Sequence, residues 1–300
     1  MASIYLHRGA ASLTDIQKSI PTLSVSTVFA NTYRFETTDC PQDQYPSTNL
    51  ACMSQPPPPP AALEFPNPPS FKETKADPAA TLAWLKENAA TIYLTARTTS
   101  VSQGQPPTLT ISAYSRLYTT AHDYCEITKH ARSTKPNEPK PLSGEDLYRG
   151  LEEIIRNHCS EVRASLPSAL EGDTMAAVKM IQEYLAQWNI FSQHLEPVVA
   201  HVMRHLDRHW IQRVIDEKRK DVYSVQDLHT VVWKEEILFQ GSGDSTTTAA
   251  ASSVRSELER AVGVLLQEGG EDGGQSGNSG LAEQFLGSLR TIGVDLKASV

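Results

Sequence analysis

Histidines at regular helical spacing are the first residues in this sequence whose positions suggest chemistry. His201, His205 and His209 follow one another at intervals of four, with Asp207 among them. Side chains four residues apart share one helix face, and two imidazoles at that spacing can share a zinc ion. The sequence has no HExxH motif, and it places no further carboxylate or cysteine to complete a site. The same pattern is typical of a solvent-facing or partner-facing stripe. We therefore predict no metal, with a metal-dependent enzyme as the testable alternative.

Other catalytic and cofactor motifs are missing from the sequence. It contains no GxxxxGKS/T phosphate loop, no strand-linked GxGxxG and no GxSxG nucleophile turn. Its cysteines form no CxxC pair, which argues against a zinc ribbon or a thioredoxin-type redox site; they are Cys40, Cys52, Cys125 and Cys159. We predict no catalytic residue and no cofactor.

The composition predicts a soluble protein of one large or two modest globular units. The chain has 300 residues, 39% of them hydrophobic, and a formal net charge of -8. It lacks an uncharged apolar stretch long enough to span a membrane, and its acidic balance repels nucleic-acid backbones. We expect neither a membrane nor a nucleic acid as partner. Unpaired cysteines and the absence of a signal peptide predict a location in the cytoplasm and nucleus.

Residues 1–76 are predicted to be a disordered, proline-rich leader. Prolines fill positions 56–60 and recur at 66, 68 and 69, which removes backbone donors and favours extended chain. A proline run can also bind aromatic-lined adaptor domains, but no basic residue flanks this one closely, so we interpret it as a spacer.

From Asp77 onward the apolar residues recur at helical spacing, which predicts an all-α fold packed as a bundle or solenoid. Asp77-Pro78 is typical of a helix start, Ser143 with Asp146 resembles a capping arrangement, and a break is predicted just before Pro197. The predicted helices cover about 79–97, 109–130, a segment beginning after Ser143, a segment beginning after Gly172-Asp173, 197–215, 225–239, 254–268 and 280–291.

Two rows of side chains on these helices suggest a protein interface. The second predicted helix carries Tyr114, Tyr118 and His122 in one row. The fifth carries a second row on the side opposite its apolar stripe. This row consists of His201, His205, Arg208 and Gln212. Exposed aromatic and arginine side chains are favoured at interfaces. Core packing of Tyr118 beside Leu117 and a solvated histidine and arginine face are equally compatible with the pattern.

Several segments together resemble the N-terminal repeats of the cullin family, most closely the cullin of SCF-type ubiquitin ligases. The strongest likeness lies in His205-Leu-Asp-Arg-His-Trp-Ile211, with Asp216-Glu217 and Val222-Tyr223 behind it. The others are Leu117-Tyr-Thr-Thr-Ala-His-Asp-Tyr-Cys125, Glu145-Asp-Leu-Tyr148, Tyr184-Leu-Ala-Gln-Trp188 and Trp233-Lys-Glu-Glu-Ile-Leu-Phe239.

The resemblance implies a five-helix cullin repeat over 77–222, followed by a partial second repeat over 223–300. It also implies a non-catalytic scaffold that binds a Skp-type, BTB-fold adaptor and an F-box substrate receptor through helices two and five of the first repeat. Carried over by position, the adaptor-binding residues would be Tyr114, Tyr118, His122, His205 and Arg208. A generic helical-repeat interaction module with an unrelated partner is the alternative.

The resemblance further implies that the RING-binding half of a cullin lies outside these 300 residues. The C-terminal cullin homology domain, with its docking sheet and acceptor lysine, has no counterpart in the sequence. We therefore expect that a RING subunit does not bind this fragment.

Overall fold

The computed structural model describes residues 62–103, 108–129, 141–167, 173–239, 254–268 and 276–294, which are built almost entirely from helices. Within these ranges the strand-like pairing is an isolated bridge between Leu63 and Leu109. The predicted all-α fold is confirmed. The helices are α1 (Phe71–Ala76), α2 (Pro78–Gln103), α3 (Ile111–Thr128), α4 (Gly144–Ser165), α5 (Thr174–Ile190), α6 (Glu196–Val202), α7 (Arg204–Leu206), α8 (Gln212–Asp216), α9 (Val225–Trp233), α10 (Val254–Glu268) and α11 (Ser276–Thr291). None of these helices combines the length and apolar character needed to cross a membrane.

The predicted helix starts have the expected caps. Asp77 Oδ1 accepts hydrogen bonds of 3.1 Å from the backbone N–H groups of Ala79 and Ala80, at the beginning of α2. At α4, the Ser143 hydroxyl accepts from the backbone N–H of Glu145, and the Ser143 N–H donates to Asp146 Oδ2 at 2.7 Å. These bonds satisfy donors that a helix start leaves unpaired.

One hydrophobic core runs through the described residues. α2 packs against α3 and α4, while α10 and α11 pack against α5. α9 contacts both α4 and α6, so the buried core continues past the repeat boundary predicted near residue 222. That boundary stays a prediction.

The predicted apolar stripe of α4 faces the core. Its buried members are Leu147, Leu151, Ile155, His158, Cys159 and Val162.

The predicted break before Pro197 is wrong. Helix α5 continues through the π-helical turn Phe191–Leu195 into α6, so Pro197 lies in the first turn after the widened segment. Its missing N–H and its ring are tolerated there because a wide turn relaxes the spacing to the preceding carbonyls. The chain bends instead at Met203, where ψ changes to 13°. After this bend, α7, the π-helical turn Asp207–Ile211 and α8 form the next helical segment.

Residues 62–76 are folded, although the sequence pattern assigned them to the leader. Helix α1 has a capping box, in which Glu73 N–H donates to the Ser70 hydroxyl and Ser70 N–H donates to the Glu73 carboxylate. Phe65 is buried, and Leu63 N–H donates to Thr108 O at 2.9 Å. A single apolar anchor and one short capped helix carry too little periodicity for detection in sequence. Residues 1–61 lie outside the described part of the chain.

The end of α8 allows a stability test. Lys218 has φ of 63°, the left-handed region, and its N–H donates to Ile215 O at 2.8 Å. Side chains with a Cβ are strained there, whereas glycine is not. Lys218→Gly is therefore expected to raise the free energy of unfolding by about 0.5 to 1 kcal/mol, measured by urea unfolding. Lys220→Gly, two residues further on, is the control and should lower it; a loss in both variants would contradict the argument.

Candidate functional site

Helix α3 holds the first predicted row. The Thr110 hydroxyl caps this helix by accepting from Ala113 N–H at 3.0 Å. One side of α3 is buried in the core through Ala113, Leu117, Thr120, Ala121 and Tyr124. Tyr114 and Tyr118 flank that buried side and are half-buried. Leu117 occupies the interior position beside Tyr118.

The segment from α6 to α8 holds the second predicted row. Its core side consists of apolar residues at helical spacing, namely Val199, Val202, Leu206, Trp210 and Val214. His201, Arg204, Arg208 and His209 are exposed on the remaining surface, and His205 is half-buried. α3 packs against both α6 and α7, which brings the two rows together.

Where the rows meet, six aromatic rings form a continuous cluster. We call it the ring cluster: Tyr114, Tyr118, His122, His201, His205 and His209. Tyr114 meets the edge of His201 with ring centroids 5.6 Å apart, and Tyr118 lies 5.1 Å from His205. His122 also packs against His205, at 4.3 Å. The two tyrosine rings are stacked at 6.3 Å, and His205 and His209 are stacked at 5.7 Å.

The structure thus brings together four of the predicted adaptor-binding residues, Tyr114, Tyr118, His122 and His205. The fifth, Arg208, is exposed on the π-helical turn Asp207–Ile211, close to His205. The sequence suggests His209 only as a metal ligand, although its spacing of four from His205 places it on this surface. Its imidazole also approaches Glu126 of α3, with Nε2 and Oε1 4.0 Å apart.

The histidines of the cluster pack as rings. Among the residues that the structure describes, no group of three or more histidine, cysteine or acidic side chains could hold a metal ion. His201 contacts Tyr114 edge-on, while the ring planes of His205 and His209 are parallel to within 3°. His201, His205 and His209 therefore do not converge on one point.

Burial and neighbouring cations favour the neutral form of His205. Burial lowers the pKa of His205, and His122, His209 and Arg208 lower it further, with Glu126 acting in the opposite direction. Its Nδ1 is buried without a hydrogen-bond partner among the described residues. Burial likewise raises the pKa of the Tyr114 hydroxyl. The surface therefore combines a neutral His205 and a neutral Tyr114 with exposed arginines, and aromatic and arginine side chains are enriched at protein interfaces.

Trp210 fixes the position of the second row. Its ring is almost completely buried, lies 5.3 Å from the Tyr148 ring and contacts Gly144 at the first turn of α4. Asp207, earlier in the same π-helical turn, accepts a hydrogen bond of 2.9 Å from Val225 N–H at the start of α9. Arg208 and His209 lie between these two attachment points, so the orientation of the exposed residues is set by buried ones.

Comparison with known proteins gives an independent view of the chain. Residues 94–275, more than half of the sequence, match the family model of the cullin alpha solenoid domain. Among curated relatives, Cullin-1 of Dictyostelium discoideum is 25% identical over 147 residues, which are 47% of this chain and 18% of that protein. Cullin-1 of Caenorhabditis elegans is 27% identical over 157 residues, 48% of this chain and 19% of that protein. The chain thus matches about a fifth of the length of these relatives.

Proposed function

This chain belongs to the cullin family, and from that premise we propose that it is a non-catalytic scaffold of an SCF-type ubiquitin ligase. In this proposal, α3 and the α6–α8 segment bind a Skp-type adaptor together with its F-box substrate receptor. The scaffold acts by position, because holding a substrate receptor raises the effective concentration of substrate near a catalytic module. It would act in the cytoplasm and nucleus.

The ring cluster is the observation that carries this proposal. It joins α3 and the α6–α8 segment, which are distant in sequence, into one surface of tyrosines and histidines. The rings support one another and the core fixes their helices, so a partner would bind them with little loss of conformational freedom. Tyrosine and arginine are also the side chains most often found as binding hot spots.

The described cysteines also favour a scaffold over an enzyme that carries ubiquitin on a thiol. Cys125 and Cys159 are both buried. Burial raises the pKa of the Cys125 thiol to about 12 and raises that of Cys159 as well. A thiol needs its ionised form to act as a nucleophile, and burial suppresses that form.

A scaffold must hold its bound partners in fixed positions, so its helices must be rigid relative to one another. Ion pairs reinforce the contact between α4 and the π-helical turn Lys234–Phe239. Arg156 of α4 donates to Glu235 and Glu236 of the π-helical turn Lys234–Phe239, each at 2.8 Å. It also bonds Glu152 one turn earlier on its own helix. Since several charges form one network with a nearly buried carboxylate, this node restrains α4 relative to the turn more than an isolated surface pair would.

Adaptor binding is expected to depend on Tyr118. We predict that Tyr118→Ala weakens the binding of the adaptor and F-box complex by about 30-fold, because it removes a central ring of the cluster. Binding can be measured by isothermal titration of the full chain. Tyr223→Ala is the matched control, since Tyr223 is an exposed tyrosine that lies between α8 and α9, outside the ring cluster. It should bind like the parent chain.

Two results of this titration would count against the proposal. If the folded parent chain does not bind the adaptor complex, a helical-repeat module with an unrelated partner becomes the better interpretation. If it binds but Tyr118→Ala and Tyr223→Ala behave alike, the complex uses a surface other than the ring cluster. Circular dichroism and the unfolding midpoint show whether each variant is folded.

A further inference from the structure

The first turn of α3 carries an apolar side chain that the fold does not use. Ile111 is 90% exposed, more than any other large hydrophobic residue of the described chain. The next most exposed, Met175, is 75% exposed and lies on α5. Such a residue contributes almost nothing to folding, because apolar stabilisation scales with the area removed from water.

Ile111 lies on the same face of α3 as the two tyrosines of the ring cluster. It precedes Tyr114 by three residues and Tyr118 by seven, which are the spacings of one helical stripe. Ser115, four residues after Ile111, is also exposed and is too small to cover it. The apolar surface therefore continues from the tyrosines to the very start of the helix.

The start of α3 is held firmly by a strap made of residues 63–65. Leu63 pairs with the residues around Leu109, donating to Thr108 O at 2.9 Å. Arg116 Nη1 donates to Phe65 O at 2.7 Å, and the Phe65 side chain is buried. With the Thr110 cap, these contacts fix the first turn before any partner arrives. A side chain presented on such a turn loses little further backbone freedom on binding.

An exposed arginine lies near this end of the surface. Arg204 lies close enough to Tyr114 to lower its hydroxyl pKa, in opposition to the effect of burial. It forms no ion pair with another described residue. Arg208, also exposed, lies further along the surface beside His205. Of the carboxylates, Asp123 and Glu126 lie further along α3, and the exposed Glu64 belongs to the strap. A matching partner would therefore offer an apolar pocket with an acidic side chain that faces Arg204.

We propose that Ile111 is an apolar anchor of the docking surface, which inserts into a pocket of the Skp-type adaptor complex beside an acidic group that faces Arg204. The inference rests on the proposed function and extends its surface by one helical turn. The strap then has a role in binding as well as in folding, because it holds this anchor in place. Ile111 determines affinity for the same partner that contacts the ring cluster.

The test is a titration of the full chain with the adaptor and F-box complex. Ile111→Ser is expected to weaken binding about tenfold with an unchanged urea unfolding midpoint, and Ile111→Met to retain most of the affinity. Met175→Ser is the matched control, because Met175 is another highly exposed apolar residue in a first helical turn. It should not affect binding. Affinity of the parent chain should fall as the sodium chloride concentration rises.

The possible results separate this inference from the proposed function. No binding by the folded parent chain overturns the proposed function and the inference with it. Binding that is weakened by Tyr118→Ala but unaffected by Ile111→Ser overturns the anchor alone. A lower unfolding midpoint for Ile111→Ser also overturns it, because the residue would then be covered by its own chain. Affinity that is independent of salt would contradict the acidic character of the pocket.

Discussion

Lowering the pH from 7 to 4 is expected to reduce the free energy of unfolding by about 3 kcal/mol for each of two buried histidines, His158 and His229. Burial lowers the pKa of each to about 4 in the folded protein, compared with about 6.5 for an ordinary histidine. Between those values the unfolded chain binds protons that the folded chain excludes. The contribution of these two histidines to the free energy of unfolding is therefore complete above about pH 6.5 and is lost as the pH falls toward 4.

The contacts of His229 explain why a proton is excluded. Its Nδ1 lies 2.6 Å from Val225 O, so this nitrogen must carry the hydrogen and donate it to the carbonyl. Its Nε2 lies 2.6 Å from the Tyr93 hydroxyl and accepts a hydrogen bond from it. Protonation of Nε2 would remove this acceptor and place a charge in a site with no solvent exposure.

His158 lies in the same buried layer. Its ring is stacked on Phe191 at 5.8 Å and tilted against Tyr93 at 5.3 Å. Burial is the main cause of its lowered pKa, and the charges of Arg97 and His229 act in the same direction. Two carboxyls oppose the trend, since burial raises the pKa of Glu196 and of Asp207, which gain protons more readily in the folded state. Both groups are less buried than the histidines, so the net change remains a loss of stability.

Urea unfolding at pH 7, 6, 5 and 4 measures the effect. His158→Phe should keep the ring contacts while removing one titrating site, so the slope of stability against pH should fall by about half. A His158→Phe variant with an unchanged slope would show that other groups cause the acid sensitivity.

The sequence was sufficient for features that repeat at helical spacing. The stripe of α4 and the caps at Asp77 and Ser143 were predicted because periodicity and capping depend on residues three or four apart. The two rows of the candidate site could be predicted for the same reason. Their role in adaptor binding remains a prediction that rests on the family resemblance.

Features that depend on distant residues could not be predicted. Tyr93 and His229 are 136 residues apart in sequence, and nothing local to either one indicates the other. The pairing of Tyr118 with His205 likewise needs the packing of α3 on α7, which a single-helix pattern does not contain. The π-helical turn before Pro197 was missed because a proline pattern predicts a break and says nothing of a wider turn that accommodates it.

Replacing Gly144 is expected to disturb both stability and binding. A Cβ atom at this position would lie 2.5 Å from Trp210 Cγ and 2.6 Å from Trp210 Cβ, well inside van der Waals contact. The Trp210 Cβ is attached directly to the backbone, so the clash cannot be relieved by rotation of a flexible side-chain end. The π-helical turn that carries Arg208 and His209 must move instead. Overpacking of this kind typically costs about 1 to 3 kcal/mol.

We therefore expect Gly144→Ala to lower the free energy of unfolding by about 3 kcal/mol and to weaken adaptor binding, although alanine favours helix more than glycine does. Gly150→Ala is the matched control on the same helix, because its Cβ would meet Lys86 Cδ at 2.8 Å, and this long side chain can rotate away. It should be neutral or stabilising. Urea unfolding of both variants measures the difference, and equal stabilities would contradict the argument.

A double-mutant cycle with Trp210→Gly distinguishes the clash from a general effect on the α4 start. The two atoms closest to the new methyl group are Cγ and Cβ of Trp210, and glycine at 210 removes both of them. Gly144→Ala should then cost much less in the Trp210→Gly background, giving a coupling energy of about 2 kcal/mol. Additive effects would mean that the two residues act independently. Coupling would instead show that the exposed docking residues owe their position to a contact between a glycine and a tryptophan 66 residues later.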